Sequence, residues 1–125
     1  MLADTNAVAN IAVRDLDVAR RFYEGTLGMT PVDREGDDVV TYGSGDSKFL
    51  VYRSDFAGTN QATAMTWVVG DQLDAVVRAL RDKRVAFEHY EMPDMTLEDD
   101  VHVSGHLRVA WFKDPDGNIL NVVTG

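Results

Sequence analysis

The 125-residue sequence predicts an α+β fold: two β-α-β-β-β modules, at about residues 5–55 and 60–125 of one domain, whose sheets curl around a shared cleft. Three observations predict it. A strand pattern running into an Asp-capped helix occurs twice, at Val8-to-Asp15 and again at Ala64-to-Asp71. Each helix is followed by further strand patterns. Finally, the stretch Phe112-Lys113-Asp114-Pro115-Asp116-Gly117-Asn118 lies between flanks rich in β-branched and aromatic residues, which marks a hairpin. There Pro115 fixes φ, Gly117 suits the positive φ that closes the turn, and Asp114 and Asp116 can each bond a nearby backbone N–H.

In chain order, residues 7–13 read as a short apolar strand and Asp15 as a helix N-cap. Leu16, Ala19, Phe22 and Tyr23 recur at helical spacing, with Asp17, Arg20, Arg21 and Glu24 on the wet side, and Gly28 punctuates the end. Strands are expected at 29–34, 38–43 and 48–53, the last two joined by the turn cluster 43–46. A polar connection, 54–61, precedes the second module. Ala62 to Val69 is a strand, Asp71 a second candidate N-cap, and Leu73, Val76, Val77 and Leu80 form one apolar helical stripe. Residues 85–89 make a strand, 90–105 a long acidic loop, and the hairpin strands complete the set. The hairpin segment Asp116-to-Asn121 matches Asp46-to-Val51, so Asn121 falls opposite Val51 in the repeat. With one helix per module, each sheet has one face covered, and the other faces are free to line a cleft.

Composition narrows the function. A net charge of −9 disfavours nucleic acid and anionic membrane surfaces, which select basic patches. No apolar run approaches the ~20 residues that span a bilayer, and Met1-Leu2-Ala3-Asp4 lacks the pattern of a secretion signal. The absence of cysteine removes disulfides, thiolate nucleophiles and thiolate metal sites, and fits a cytoplasmic location. Ser104 and Thr66 have no paired base in the sequence, and no Gly-rich strand-to-helix loop suggests a phosphate site.

Asn10-Ile11-Ala12-Val13-Arg14-Asp15-Leu16, Phe22-Tyr23, Leu27-Gly28 and Phe112-to-Asn118, in that order, resemble the glyoxalase/bleomycin resistance/extradiol dioxygenase (vicinal oxygen chelate) superfamily. The resemblance covers nearly the whole chain. It implies the two-module fold, pairing as a homodimer, and, in enzymatic members, a divalent metal held by His, Gln or Glu that polarises two neighbouring substrate oxygens. The matching positions here are Val8, Val51, Ala64 and Asn121. Val and Ala have no lone pairs, and Asn121 offers a neutral amide where those enzymes carry a carboxylate. A slip of two along the strands reaches Asn6, Asn10, Ala62 and Thr66, none of them an imidazole or carboxylate. No cofactor is therefore expected, with a divalent metal as the minority reading. His102 and His106 stand ~13 Å apart if extended, too far to share an ion. Folded together with Glu98, Asp99 or Asp100, they could.

By strand parity the cleft is expected to carry Asn10, Phe49, Val51 and Arg53 from the first module, and Thr66, Ile119 and Asn121 from the second. Ile11, Val13, Trp67, Leu120 and Val122 would pack under the helices, with Trp111 on either side. The leading expectation is a metal-free small-molecule binding protein of the resistance or sequestration kind. Asn10, Arg53 and Asn121 would anchor polar groups, Phe49 and Trp111 would stack, and Thr66 would line the site. The alternatives are a lyase, isomerase or dioxygenase recruiting metal through Asn121, His102 or His106, and an interaction module with its cleft packed shut; the residues leave open whether a reaction is catalysed. Loop 90–105 is either a lid over the cleft or a solvated connection.

Overall fold

Asp15 starts the first helix as its position predicts. In the computed structural model, which describes residues 1–125 apart from the side chain of Glu35, its carboxylate accepts from the backbone N–H of Asp17 (2.9 Å) and Val18 (3.2 Å). The helix, α1 (Leu16–Arg20), runs on into a π-helical turn at Arg21–Thr26. The chain forms two compact units, Met1–Thr59 and Asn60–Gly125.

In the first unit, strands β1 (Ala9–Val13), β2 (Thr30–Glu35), β3 (Val39–Ser44) and β4 (Ser47–Arg53) form a sheet in the order β1-β4-β3-β2. β1 and β4 are parallel and the other pairs antiparallel. Residues paired across strands share a face. Ile11 stands beside Val51, Val51 beside Val40, and Phe49 beside Tyr42, and all are buried. Tyr23 packs on this face, its ring centroid 6.0 Å from Tyr42 and 5.9 Å from Phe49. This is therefore the helix side. The Tyr42 hydroxyl donates to Glu24 (2.8 Å), which also accepts from Arg20 Nε (2.7 Å). Burial, then the bond to Glu24, pushes the phenol well above its usual range; the bond from Arg20 holds Glu24 below its own.

The second unit repeats the plan. β5 (Thr63–Val68), α2 (Leu73–Asp82), β6 (Phe87–Glu88), β9 (Leu107–Lys113) and β10 (Ile119–Val123) correspond to β1, α1, β2, β3 and β4. β5 runs parallel to β10, β10 antiparallel to β9, and β9 antiparallel to β6. Two further strands, β7 (Thr96–Glu98) and β8 (Val101–Ser104), form a hairpin whose β8 pairs with the first part of β9. The β9–β10 turn is held by Asp114: its Oδ1 accepts from the N–H of Asp116 (3.0 Å) and Asn118 (2.9 Å), its Oδ2 from Asn118 Nδ2 (2.8 Å), and Gly117 takes φ 89°. The α2 side of the sheet is fixed by Arg108, on β9, whose guanidinium bonds Asp74 of α2 (2.9 Å). Phe112, Leu120 and Val122 alternate onto that same side, where Trp67 stacks on Phe112 at 6.4 Å.

Four expectations need correction. Both sheets are open, ending at β1 and β2 in one and at β5 and β7 in the other, so they do not curl around a shared cleft. In the second unit the face away from α2 is filled by its own chain, Tyr90, Met92 and Met95 packing on Val109, Trp111 and Ile119. Residues 90–105 are not one loop: Glu98 pairs with Val101 across a tight turn in which Asp99 takes φ 54°. Asp71 does not cap α2; it lies in a 3-10 turn, Gly70–Gln72, and α2 has no side-chain N-cap bond. Lastly, Phe49 and Val51 face α1, opposite to Asn10 and Ala12. Asn10 pairs with Leu50 as Thr66 pairs with Asn121, so the counterpart of Asn121 is Leu50, one residue from Val51. A one-residue offset reverses every side chain of a strand.

Candidate functional site

The face of the second sheet away from α2 holds the densest group of buried polar atoms without partners. Asn121, on β10, is 6% exposed and stands between Thr66 of β5 and Trp111 of β9. The strand pairing that places Asn121 beside Trp111 continues to Glu88 on β6, which forms an ion pair with Lys113 (3.3 Å). His102, on β8, is 1% exposed and pairs with Val109, which shares the side of Trp111. Its imidazole lies edge-on to the Trp111 indole at 4.8 Å, and Tyr90 meets the same indole edge-on at 5.4 Å. The indole Nε1 donates to Thr63 Oγ1 (3.0 Å), which fixes the ring plane.

Within this cluster the Tyr90 backbone N–H donates to His102 Nε2 (3.0 Å). Among the described residues, the buried side-chain nitrogens and oxygens without a hydrogen-bond partner are Tyr90 Oη, His102 Nδ1 and Asn121 Oδ1, all three on residues of this cluster. Each such group costs on the order of 1–3 kcal/mol. A fold does not gather three of them on one face for stability. Beside the cluster, Asp100 accepts from Arg81 (2.6 Å) and bonds His89 Nε2 (2.9 Å); the His89 bond first, then Arg81, holds its carboxyl below the usual range.

Of the residues that the sequence proposes for a site, Thr66, Trp111 and Asn121 are brought together here, with Thr66 at the exposed margin. Asn10 lies in the first unit on the side away from α1, exposed, its amide donating to Val8 O (3.3 Å). Phe49 lies under α1 against Tyr23 and Tyr42. Arg53 pairs with Val13, on the α1 side, and bonds Asp55 (3.1 Å). Tyr90 is absent from the sequence-derived set, and His102 enters it only as a metal ligand in the minority reading. The signal for His102 was the alternation Val101-His102-Val103 after a paired-Asp turn, which reads as a strand once the hairpin is recognised.

The family model described as Glyoxalase/Bleomycin resistance protein/Dioxygenase superfamily matches residues 6–122. The chain belongs to this superfamily. Solved structures agree in fold. A glyoxalase family protein from Enterococcus faecalis superposes with TM-score 0.73 at 16% identity, covering 98% of this chain and 99% of that one. A fosfomycin resistance protein from Listeria monocytogenes gives 0.73 at 10% identity, covering 98% and 93%. A lactoylglutathione lyase from Agrobacterium tumefaciens gives 0.66 at 17% identity, covering 96% and 94%. No curated protein matches the chain.

The divalent metal of the superfamily's enzymes finds a poor donor set in this member. Val8 is exposed and precedes β1, Val51 is buried on the α1 side, and Ala64 carries only a methyl group. The register-corrected Leu50 is equally without lone pairs. Asn121 alone has a donor atom, and one amide oxygen does not hold an ion that takes several ligands. Among the described residues no group of three or more His, Asp or Glu could hold a metal ion, which also covers His102 and His106 with the acidic turn. No set among the described residues fits the group.

Proposed function

We propose that this superfamily member is a small-molecule binding protein, of the resistance or sequestration kind, that works without a metal. The observation that carries the reading is that Tyr90 Oη, His102 Nδ1 and Asn121 Oδ1 are buried and unpaired on three residues that neighbour one indole, two by ring contact and Asn121 by strand pairing. An apolar wall with a few convergent polar groups is the usual composition of a small-molecule site. Met92 and Met95, packed on the same wall, are flexible side chains that can yield to a ligand. In this reading Thr66, Trp111 and Asn121 bind the ligand, and the segment from Tyr90 to Met95 is the part of the 90–105 stretch that acts as a cover.

A thermal-shift screen of small molecules, run in parallel with and without chelator, tests the proposal. The expected result is a stabilising ligand whose effect is the same in both arms. Stabilisation or turnover that disappears with chelator and returns with one divalent ion would overturn it in favour of a metal-dependent lyase, isomerase or dioxygenase. The homodimer that superfamily membership suggests belongs to the same proposal, and sedimentation of the purified chain, with and without ligand, checks it.

A further inference from the structure

The three unpaired atoms ask different things of a ligand. The Tyr90 backbone N–H donates to His102 Nε2, so that nitrogen carries the lone pair and the ring proton sits on Nδ1. His102 Nδ1–H is thus a donor, fixed in place, with no acceptor. Asn121 Oδ1 is an acceptor with no donor, and Tyr90 Oη can serve as either. Resting on the reading above that this face binds a small molecule, we infer that its ligands are uncharged aromatic amides. The amide carbonyl accepts from His102 Nδ1–H, the amide N–H donates to Asn121 Oδ1, and the ring lies against Trp111.

Charge decides against an acid. His102 Nε2 accepts from the Tyr90 N–H, so the side of the ring that faces a ligand offers an N–H donor and no salt-bridge partner. The neighbouring cations are already paired, Lys113 with Glu88 (3.3 Å) and Arg81 with Asp100 (2.6 Å). A carboxylate buried here would lack a counter-charge, and a purely apolar guest would leave all three atoms unpaired. The Tyr90, His102 and Trp111 centroids lie 4.8 to 6.3 Å apart, and Asn121 is the strand partner of Trp111. The three rings are in mutual contact, so a ligand ring reaches Trp111 by displacing the cover of Met92 and Met95 rather than by entering between them.

Benzamide, benzoate and toluene share a shape and differ in the property at issue. Titration of the 15N-labelled protein with each, followed by NMR, reads both affinity and location. Benzamide is expected to move the resonances of residues 90, 102, 111 and 121 and to bind about tenfold more tightly than either of the others, the effect of one or two buried hydrogen bonds. Asn121→Leu should remove most of that preference while leaving toluene binding unchanged, with unaltered resonances for α2, residues 73–82 of the same unit, confirming the fold. Benzoate binding as well as benzamide, or toluene doing so, overturns the ligand class while leaving the face a binding site. If none of the three perturbs these residues at millimolar concentration, the class and the reading of the face as a site both fall.

Discussion

The two units share one plan and treat the face away from the helix differently. In the first, Asn10 is exposed, and Ala12, Leu50 and Tyr52 are half-buried. In the second, the corresponding face is covered by Tyr90, Met92 and Met95 and holds buried His102 and Asn121. The cause lies at the edge of the middle strand. β2 pairs with β3 over most of its length, whereas β6 takes only two residues of β9, and the β7–β8 hairpin takes its other end. Shortening one strand and inserting a hairpin thus created a buried polar face in one copy alone. The difference teaches that the repeat supplies the scaffold, while departures from it supply the chemistry.

The register of that comparison can be broken by substitution. If Leu50 is the counterpart of Asn121, Leu50→Asn should change stability by no more than about 1 kcal/mol, because it is half-buried. Val51→Asn, one residue on, would bury an unpaired amide under α1 and should cost about 2–4 kcal/mol. Urea denaturation of both variants checks this, and equal effects would void the assignment of faces. A smaller effect of opposite sign is expected in the second unit. Asn121→Leu removes an unpaired buried oxygen and should stabilise by about 1 kcal/mol, since the polar group costs more there than an apolar one. A loss of stability would mean that the amide is held for the fold rather than for a ligand.

The two helix starts differ in the same spirit. Asp15 caps α1 with two bonds, so Asp15→Ala should cost about 1 kcal/mol. Asp71 bonds only the Gln72 side chain (3.4 Å), and Asp71→Ala should leave the denaturation midpoint unchanged within error. Both residues look alike in the sequence, which shows where sequence reasoning reaches its limit. Element types and order were legible because strand alternation, helical spacing and the Asp114–Gly117 turn are local signals. The capping role of Asp71 was not, because Gly70 at φ 58° turns the chain into a 3-10 segment first. Nor was the site legible as a whole. Thr66 and Asn121 follow from family position and strand parity, which left Trp111 on either side; His102 reaches them through a hairpin that the run of acidic residues disguised as a loop, and Tyr90 through the segment before it. Phe49 was misplaced because counting along a repeat tolerates a one-residue error that a sheet does not.

The hairpin that distinguishes the second unit carries its own acid sensitivity. Asp100 sits in the β7–β8 turn, and its carboxylate joins Arg81 of α2 and His89, the residue before Tyr90. The His89 and Arg81 bonds lower its pKa in the folded protein, so the unfolded chain binds the proton more readily. The stabilisation is therefore complete above the ordinary carboxylate value of about 4 and is lost as pH falls through the lower folded value. Hydrogen exchange at residues 96–104 should speed up across that window, relative to its intrinsic rate. In Asp100→Asn the exchange should already be faster at neutral pH and lose most of this acid dependence, with β3 and β4 unaffected. An unchanged acid profile in the variant would show that the hairpin, and with it His102, is held by its packing on Trp111 rather than by the charges at its turn.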